Sequence, residues 1–260
     1  MKIKSLHIHP IKSLQGVSVN ELTTTDRGAK HDRRWMLIDA SGNFFTQREC
    51  VDLVQFELEF DQDRIRVAHP KDSNGILVPL SIRSGEKTRV KIWNSECDAL
   101  VAEDHINKWF SNLLNMELRL VYMPDESERR VDPEYTKQNE LTAFTDGFPF
   151  LVIGQASLDD LNSRLEIPVT MDRFRPNIVF EGGEAFAEDD WKDVKIGTAT
   201  FRRVKPCSRC VMTTTDQKTG ERNKEPIRTL STYRKQGDHV NFGQNLLCVE
   251  QGTIRLSDEF

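Results

Sequence analysis

The chain has no glycine-rich phosphate loop. Neither G-x-x-x-x-G-K-[S/T] nor G-x-G-x-x-G occurs among its 14 glycines, which excludes the usual nucleotide-binding loops. The G-x-S-x-G elbow of serine hydrolases and the H-E-x-x-H zinc helix are missing too, and no cysteine spacing fits an iron–sulfur cluster. The six histidines (7, 9, 31, 69, 105 and 239) are scattered, and the one near pair, His7 and His9, has no visible third ligand. Positive charge is not in excess: 36 Lys and Arg face 41 Asp and Glu, for a net charge of -5. That balance speaks against a general nucleic-acid binder, which needs a basic face. No apolar run approaches the length of a membrane span, and residues 1–9 alternate charged and apolar side chains rather than forming a signal-peptide core. The five cysteines, an odd number without framework spacing, suit a reducing compartment, and the expected location is the cytoplasm.

What is present reads as a soluble, strand-rich protein. At 260 residues the chain suits one large or two modest domains. Short apolar-alternating runs predict strands around 6–8, 34–38, 43–46, 54–60, 64–67 and 89–93, the clearest being 54–60, where Val54, Phe56, Leu58 and Phe60 share a face. So many short strands predict a barrel or a strongly curved sheet. One helix interrupts them over 103–114, with Ile106, Trp109, Phe110, Leu113 and Leu114 on one stripe. Residues 124–140, polar and carrying two prolines, read as a linker or surface loop. Beyond them the pattern predicts strands at 150–153, 177–180, 195–204, 210–215, 246–249 and 253–256, a helix opened by Ser157 and a short helix after Pro226.

The chemistry concentrates in Lys205 to Gly220. Cys207-Ser208-Arg209-Cys210 is a Cys-x-x-Cys pair, which serves as half a zinc site, a dithiol redox centre or a soft-metal ligand. Val-Met-Thr-Thr-Thr follows, a poor helix start, so the thioredoxin arrangement is not expected. Arg209 beside the thiols would favour a thiolate; both cysteines buried as small hydrophobes is the plainer alternative. Three further clusters set cations beside turns: Lys12-Ser13 after Pro10, Arg33 within His31 to Trp35, and Arg173 with Arg175 ahead of Asn177, the two arginines sharing a side if the segment is extended. Each alone is more often a solvated patch, although arginine's planar fork suits phosphate.

Taken together, Pro10 to Ser13 with Gly16-Val17, Asp32 to Trp35, Ala156 to Asn162, Arg173 to Val179, Cys207 to Cys210, Thr213-Thr214 and Asp216 to Gly220 resemble, in order, the MOSC-domain family. The branch they resemble includes the amidoxime-reducing components and their bacterial counterparts. The resemblance implies an α+β, β-rich fold: an N-terminal β-barrel-like domain over 1–123 packed on a MOSC β-barrel domain over 124–260, with a few peripheral helices. It implies a molybdenum–molybdopterin cofactor, with Cys210 as the metal ligand and catalytic residue. Lys12, Ser13, Arg33, Arg175, Asn177, Ser208 and Arg209 match positions that hold the pterin and its phosphate, and Arg173 joins them as a cation of the same cluster. The implied reaction removes oxygen from a small N-hydroxylated substrate. Some bacterial relatives carry a C-terminal iron–sulfur domain that this chain does not show, so a separate electron-donor redox protein is expected as partner, with neither nucleic acid nor membrane.

Two departures stand out. Gly147-Phe148 precedes Pro149 where family members often have hydroxyl residues, and Asn245 follows Phe242-Gly243-Gln244 where an aromatic is frequent. Two other functions stay open at this point: a sulfur carrier bearing a persulfide on Cys210, and a binding module, including one with zinc on Cys207, Cys210 and Cys248.

Overall fold

The strand Lys2–Ile8 buries Ile3, Leu6 and Ile8, a spacing that a regular strand could not place on one face. A register shift between Ile3 and Ser5, a β-bulge, brings all three inward. The computed structural model, which describes residues 1–260, pairs this strand antiparallel with Ile178–Glu181 on one side and Val17–Val19 on the other. The start of the chain thereby completes the largest sheet, whose other strands come from the second half. Its eight strands run Asp193–Ile196, Ala199–Ser208, His239–Glu250, Phe150–Gly154, Ile178–Glu181, Lys2–Ile8 and Val17–Val19, with Lys235–Gln236 paired to His239–Glu250.

Phe150–Gly154 is buried at every position, as a strand covered on both faces must be. Phe150 and Val152 face a core of 14 buried residues with Phe180 and Phe201; Leu151 and Ile153 face the opposite core with Phe174 and Phe242. Ile178–Glu181 runs parallel to it, and helix Gln155–Ser163 lies in the connection. Three smaller sheets complete the structure. Trp35–Ile38, Arg119–Tyr122, Ser95–Val101 and Lys87–Ile92 form one of them. Helix Asp104–Leu114 packs Ile106 and Phe110 into a core of 16 buried residues with Trp35 and Phe56, and ends on Asn115 in the left-handed conformation. The expected α+β, β-rich fold is the fold observed.

Several local expectations are corrected. The strand expected over 54–60 begins only at Glu57, because Val51–Gln55 is a 3-10 turn; Phe56 lies in the core of 16 residues and Leu58 and Phe60 pack against it, while Val54 is buried outside it. Residues 43–46 make only isolated bridges. Residues 211–214 are a 3-10 turn rather than a strand: the Thr213 and Thr214 hydroxyls donate to the carbonyls of Cys210 and Val211, a local bond that overrides β propensity. Met171–Phe174 is likewise a 3-10 turn, and Arg175 is left-handed at φ 54°, so Arg173 and Arg175 do not lie on an extended segment.

Residues 124–140 form the surface loop expected, most of them exposed, but two arginines tie it down. Arg27 donates to the carbonyls of Ser127 (3.0 Å) and Asp125 (2.8 Å), and buried Arg129 donates to those of Ala143 (2.7 Å) and Thr145 (2.9 Å). These guanidiniums satisfy the carbonyls of a segment whose only regular structure is the 3-10 turn Pro133–Tyr135 and one bridge between Arg130 and Leu141, and fix it in place.

Candidate functional site

The turn after Lys2–Ile8 carries Lys12 and Ser13, the latter left-handed at φ 69°. The Lys12 amide donates to the Trp35 carbonyl (2.8 Å), which sets the side chain inward, where it is almost wholly buried. Its ammonium donates to the Phe144 carbonyl (2.9 Å) and to Asp146 Oδ1 (2.6 Å). Burial lowers the Lys12 pKa to about 8, against the opposing pull of Asp146. The Asp146 side chain is 56% exposed, so the desolvation that would raise its carboxyl is weak, and Lys12 and then Arg48 hold it well below the usual carboxylate range.

Asp32 is the buried hub of the next wall. Its Oδ1 accepts from the His9 amide (2.7 Å) and Asn177 Nδ2 (3.1 Å), and its Oδ2 from Arg33 Nη1 (2.6 Å). Arg33 Nη1 also donates to Asn177 Oδ1 (3.2 Å), and Arg33 Nη2 to the Arg175 carbonyl (3.2 Å). Arg175 Nη1 donates to the Leu14 carbonyl (2.6 Å); burial, and next the Arg33 charge, push its pKa down. Arg173 donates to the Thr214 carbonyl (3.3 Å) and to Asp216 Oδ2 (2.7 Å). The Asp216 carboxyl is lowered first by the Thr219 amide, with Lys218 and Arg173 adding to it.

The strand Ala199–Ser208 delivers the cysteine motif to the same place. Ser208 Oγ meets His239 Nδ1 at 3.2 Å. Arg209 donates to the carbonyls of Phe242 (2.8 Å) and Phe174 (3.1 Å), its guanidinium lying over the Phe174 ring. Cys207 is half-buried, and burial raises its thiol pKa; Cys210 is exposed. The cation that touches Cys210 is therefore not Arg209. It is Arg48, from the turn after Phe45, whose Nη2 donates to Cys210 Sγ at 3.5 Å.

All nine residues expected from the sequence, from Lys12 to Cys210, line one cavity, joined by Arg48, Asp146, Phe148 and Asn245. Neither Arg48 nor Asp146 belongs to any motif that the sequence displays; only the fold brings them into the cavity with Cys210. The lining holds six cationic side chains and one carboxylate. Four buried guanidinium nitrogens there have no partner: Arg48 Nη1, Arg173 Nε, Arg175 Nη2 and Arg209 Nη2. Buried, unpaired donors of this charge are costly, so the arrangement suits a polyanionic ligand beside a thiol. No three His, Cys, Asp or Glu side chains come together as metal ligands, and Cys248 packs against a different core, which removes the zinc reading.

A strand-rich chain with a cationic cavity lined by Cys207 and Cys210 fits the MOSC class that the sequence resembles, and comparison bears that class out. The MOSC N-terminal beta barrel domain matches residues 1–117 and the MOSC domain residues 139–260. The chain is 35% identical to mitochondrial amidoxime-reducing component 1 of Mus musculus over 277 residues, covering 98% of this chain and 80% of that protein. The Homo sapiens component 1 is also 35% identical, over 98% of this chain and 81% of that protein. The molybdenum cofactor sulfurase of Oryza sativa subsp. japonica is 29% identical over 93% of this chain, which corresponds to 32% of its own length. The chain belongs to the MOSC-domain family, within the group that contains the amidoxime-reducing components.

The expected cytoplasmic location is overturned by these relatives, which are named as mitochondrial components. Free cysteines indicate a reducing compartment but do not say which one. No helix is long and apolar enough to cross a membrane.

Proposed function

We propose that the cavity holds a molybdenum–molybdopterin cofactor and that the protein reduces N-hydroxylated compounds by removing their oxygen. Three unpaired guanidinium nitrogens in the cavity, Arg173 Nε, Arg175 Nη2 and Arg209 Nη2, carry this reading. An anionic pterin phosphate would satisfy the cations, and a thiolate is the ligand type suited to a metal already held by sulfur. The relatives named as amidoxime-reducing components supply the reaction class. When bound, the cofactor supplies two-electron oxygen-atom transfer.

The chain's own residues bind and orient. Cys210 is the metal ligand; Lys12, Ser13, Arg33, Arg173, Arg175, Asn177, Ser208 and Arg209 hold the pterin and phosphate. Asp32, anchored by the His9 amide, keeps Arg33 and Asn177 aimed through one hydrogen bond to each. At Gly147-Phe148, where hydroxyls are missing, only backbone N–H groups are available. Exposure of Cys210 and Val211 leaves a path for a small substrate and for a separate electron-donor protein. We divide the chain into an N-terminal barrel domain, 1–123, and a MOSC domain, 124–260, with Lys2–Ile8 as the strand that ties the first to the sheet of the second.

Cys210→Ser tests this reading: the variant should fold with the wild-type thermal transition yet lose reduction of an N-hydroxylated amidine. Full activity in it would refute the role of Cys210. The similarity to the cofactor sulfurase keeps a second reading in play, in which Cys210 carries a persulfide; labile sulfur on Cys210 in place of bound pterin would favour it.

A further inference from the structure

Every cavity arginine but one is tethered to a backbone carbonyl: Arg33 to Arg175, Arg173 to Thr214, Arg175 to Leu14, and Arg209 to Phe242. Arg48 donates to none. Its Nη2 donates to Cys210 Sγ at 3.5 Å and lies 3.6 Å from Asp146 Oδ2, while its Nη1 is buried without a partner. What orients it is a ring. The Arg48 guanidinium carbon lies 4.8 Å from the centroid of Trp93, itself braced edge-on by Phe44 at 5.0 Å.

Trp93 is unusual in its own right. It occupies the turn between Lys87–Ile92 and Ser95–Val101 with φ 54°, a left-handed conformation that a bulky residue rarely adopts, and its side chain is 46% exposed. Neither local propensity nor core burial accounts for a tryptophan there. Backbone outliers of this kind persist where a function requires the side chain. The turn that carries Arg48 is separately fixed: Gln47 Nε2 donates to the Ser13 carbonyl at 2.7 Å, and Arg222 donates to the Gln47 and Arg48 carbonyls. The backbone is thus held while Nη1 of the guanidinium is left without a partner.

We infer that Arg48, oriented on Trp93, binds the substrate rather than the cofactor. Its unpartnered Nη1 would donate to the oxygen of the N–O bond and hold that oxygen beside Cys210. This role rests on the reductase reading. The overall reaction, R–NH–OH + 2 e⁻ + 2 H⁺ → R–NH₂ + H₂O, breaks the N–O bond and takes its electrons from the separate redox protein; Arg48 contributes the hydrogen bond that orients the departing oxygen. A guanidinium suits this place because it donates without giving up its proton. Trp93 acts through Arg48 and is a positioning residue.

The test uses the cofactor-loaded protein and reads two quantities, molybdenum and pterin content per chain and the KM and kcat for an N-hydroxylated amidine. Arg48→Gln should keep wild-type molybdenum and pterin while raising KM at least tenfold, and Arg48→Lys should recover part of the loss. Trp93→Leu should raise KM by a smaller factor with cofactor content unchanged. Loss of pterin in Arg48→Gln and Arg48→Lys alike would make Arg48 a cofactor-holding residue and overturn the inference, as would unchanged KM in Arg48→Gln. Wild-type protein without molybdenum or reductase activity would instead overturn the reading on which this role depends.

Discussion

Lys12 Nζ and Asp146 Oδ1 meet at 2.6 Å although 134 residues separate them in the chain. The pair joins the first turn of the protein to the end of the connector that Arg129 pins in place, and it sets the only carboxylate of the cavity against its six cations. Asp146 is also the largest influence opposing burial at Lys12.

The pair gives a signed pH prediction. With Asp146→Asn, Lys12 loses the negative charge that raises its pKa, so its ammonium should titrate below the wild-type value of about 8. Selective NMR of the Lys12 side chain reads this directly; a rise would contradict the assignment.

The Asp146 carboxyl is depressed in the folded protein, so the unfolded chain binds the extra proton as the pH falls. The stability it contributes is fully present above its unfolded value near 3.8 and is lost as the pH drops through the lowered folded one. Acid unfolding of wild type should therefore be steeper below that point than that of Asp146→Asn. Equal slopes would show that the pair contributes nothing.

Asp32→Ala strands the His9 amide, Asn177 Nδ2 and the Arg33 guanidinium in a buried place. Removing one partner of a buried ion pair costs about 3–5 kcal/mol. Denaturant unfolding should show a loss of that order; a loss under about 1 kcal/mol, the scale of an exposed pair, would mean that the hub is not structural.

Much of the architecture was legible before any coordinates. The stripe of Ile106, Trp109 and Phe110 announced its helix, and the four cation-bearing turns were recognisable in order. What escaped has a common cause: tertiary bonds replaced local preference. Threonines 213 and 214 suited a strand until their hydroxyls turned back to Cys210 and Val211. The connector is the surface loop expected, but its charges do not reveal that Arg27 and Arg129 bury themselves in its carbonyls. Arg209 adjoins Cys210 in sequence, but Arg48 reaches its sulfur, a contact across 162 residues that no spacing rule displays.

Gly16→Ala probes the packing behind the cavity. An added Cβ would sit 2.6 Å from the ring of buried His9, whose Nε2 faces the Pro176 carbonyl at 3.2 Å. Overpacking of this kind costs about 1–3 kcal/mol. Thermal unfolding should fall accordingly, and an unchanged transition would show that the His9 ring is free to move.

The most direct test of the account is molybdenum and pterin analysis of protein made in a host that assembles the cofactor. Wild type should carry both in stoichiometric amount, and Cys210→Ser should keep pterin, held by the cations, while losing metal. Wild-type protein with neither molybdenum nor pterin would contradict the central claim that this cationic cavity is a molybdenum-cofactor site.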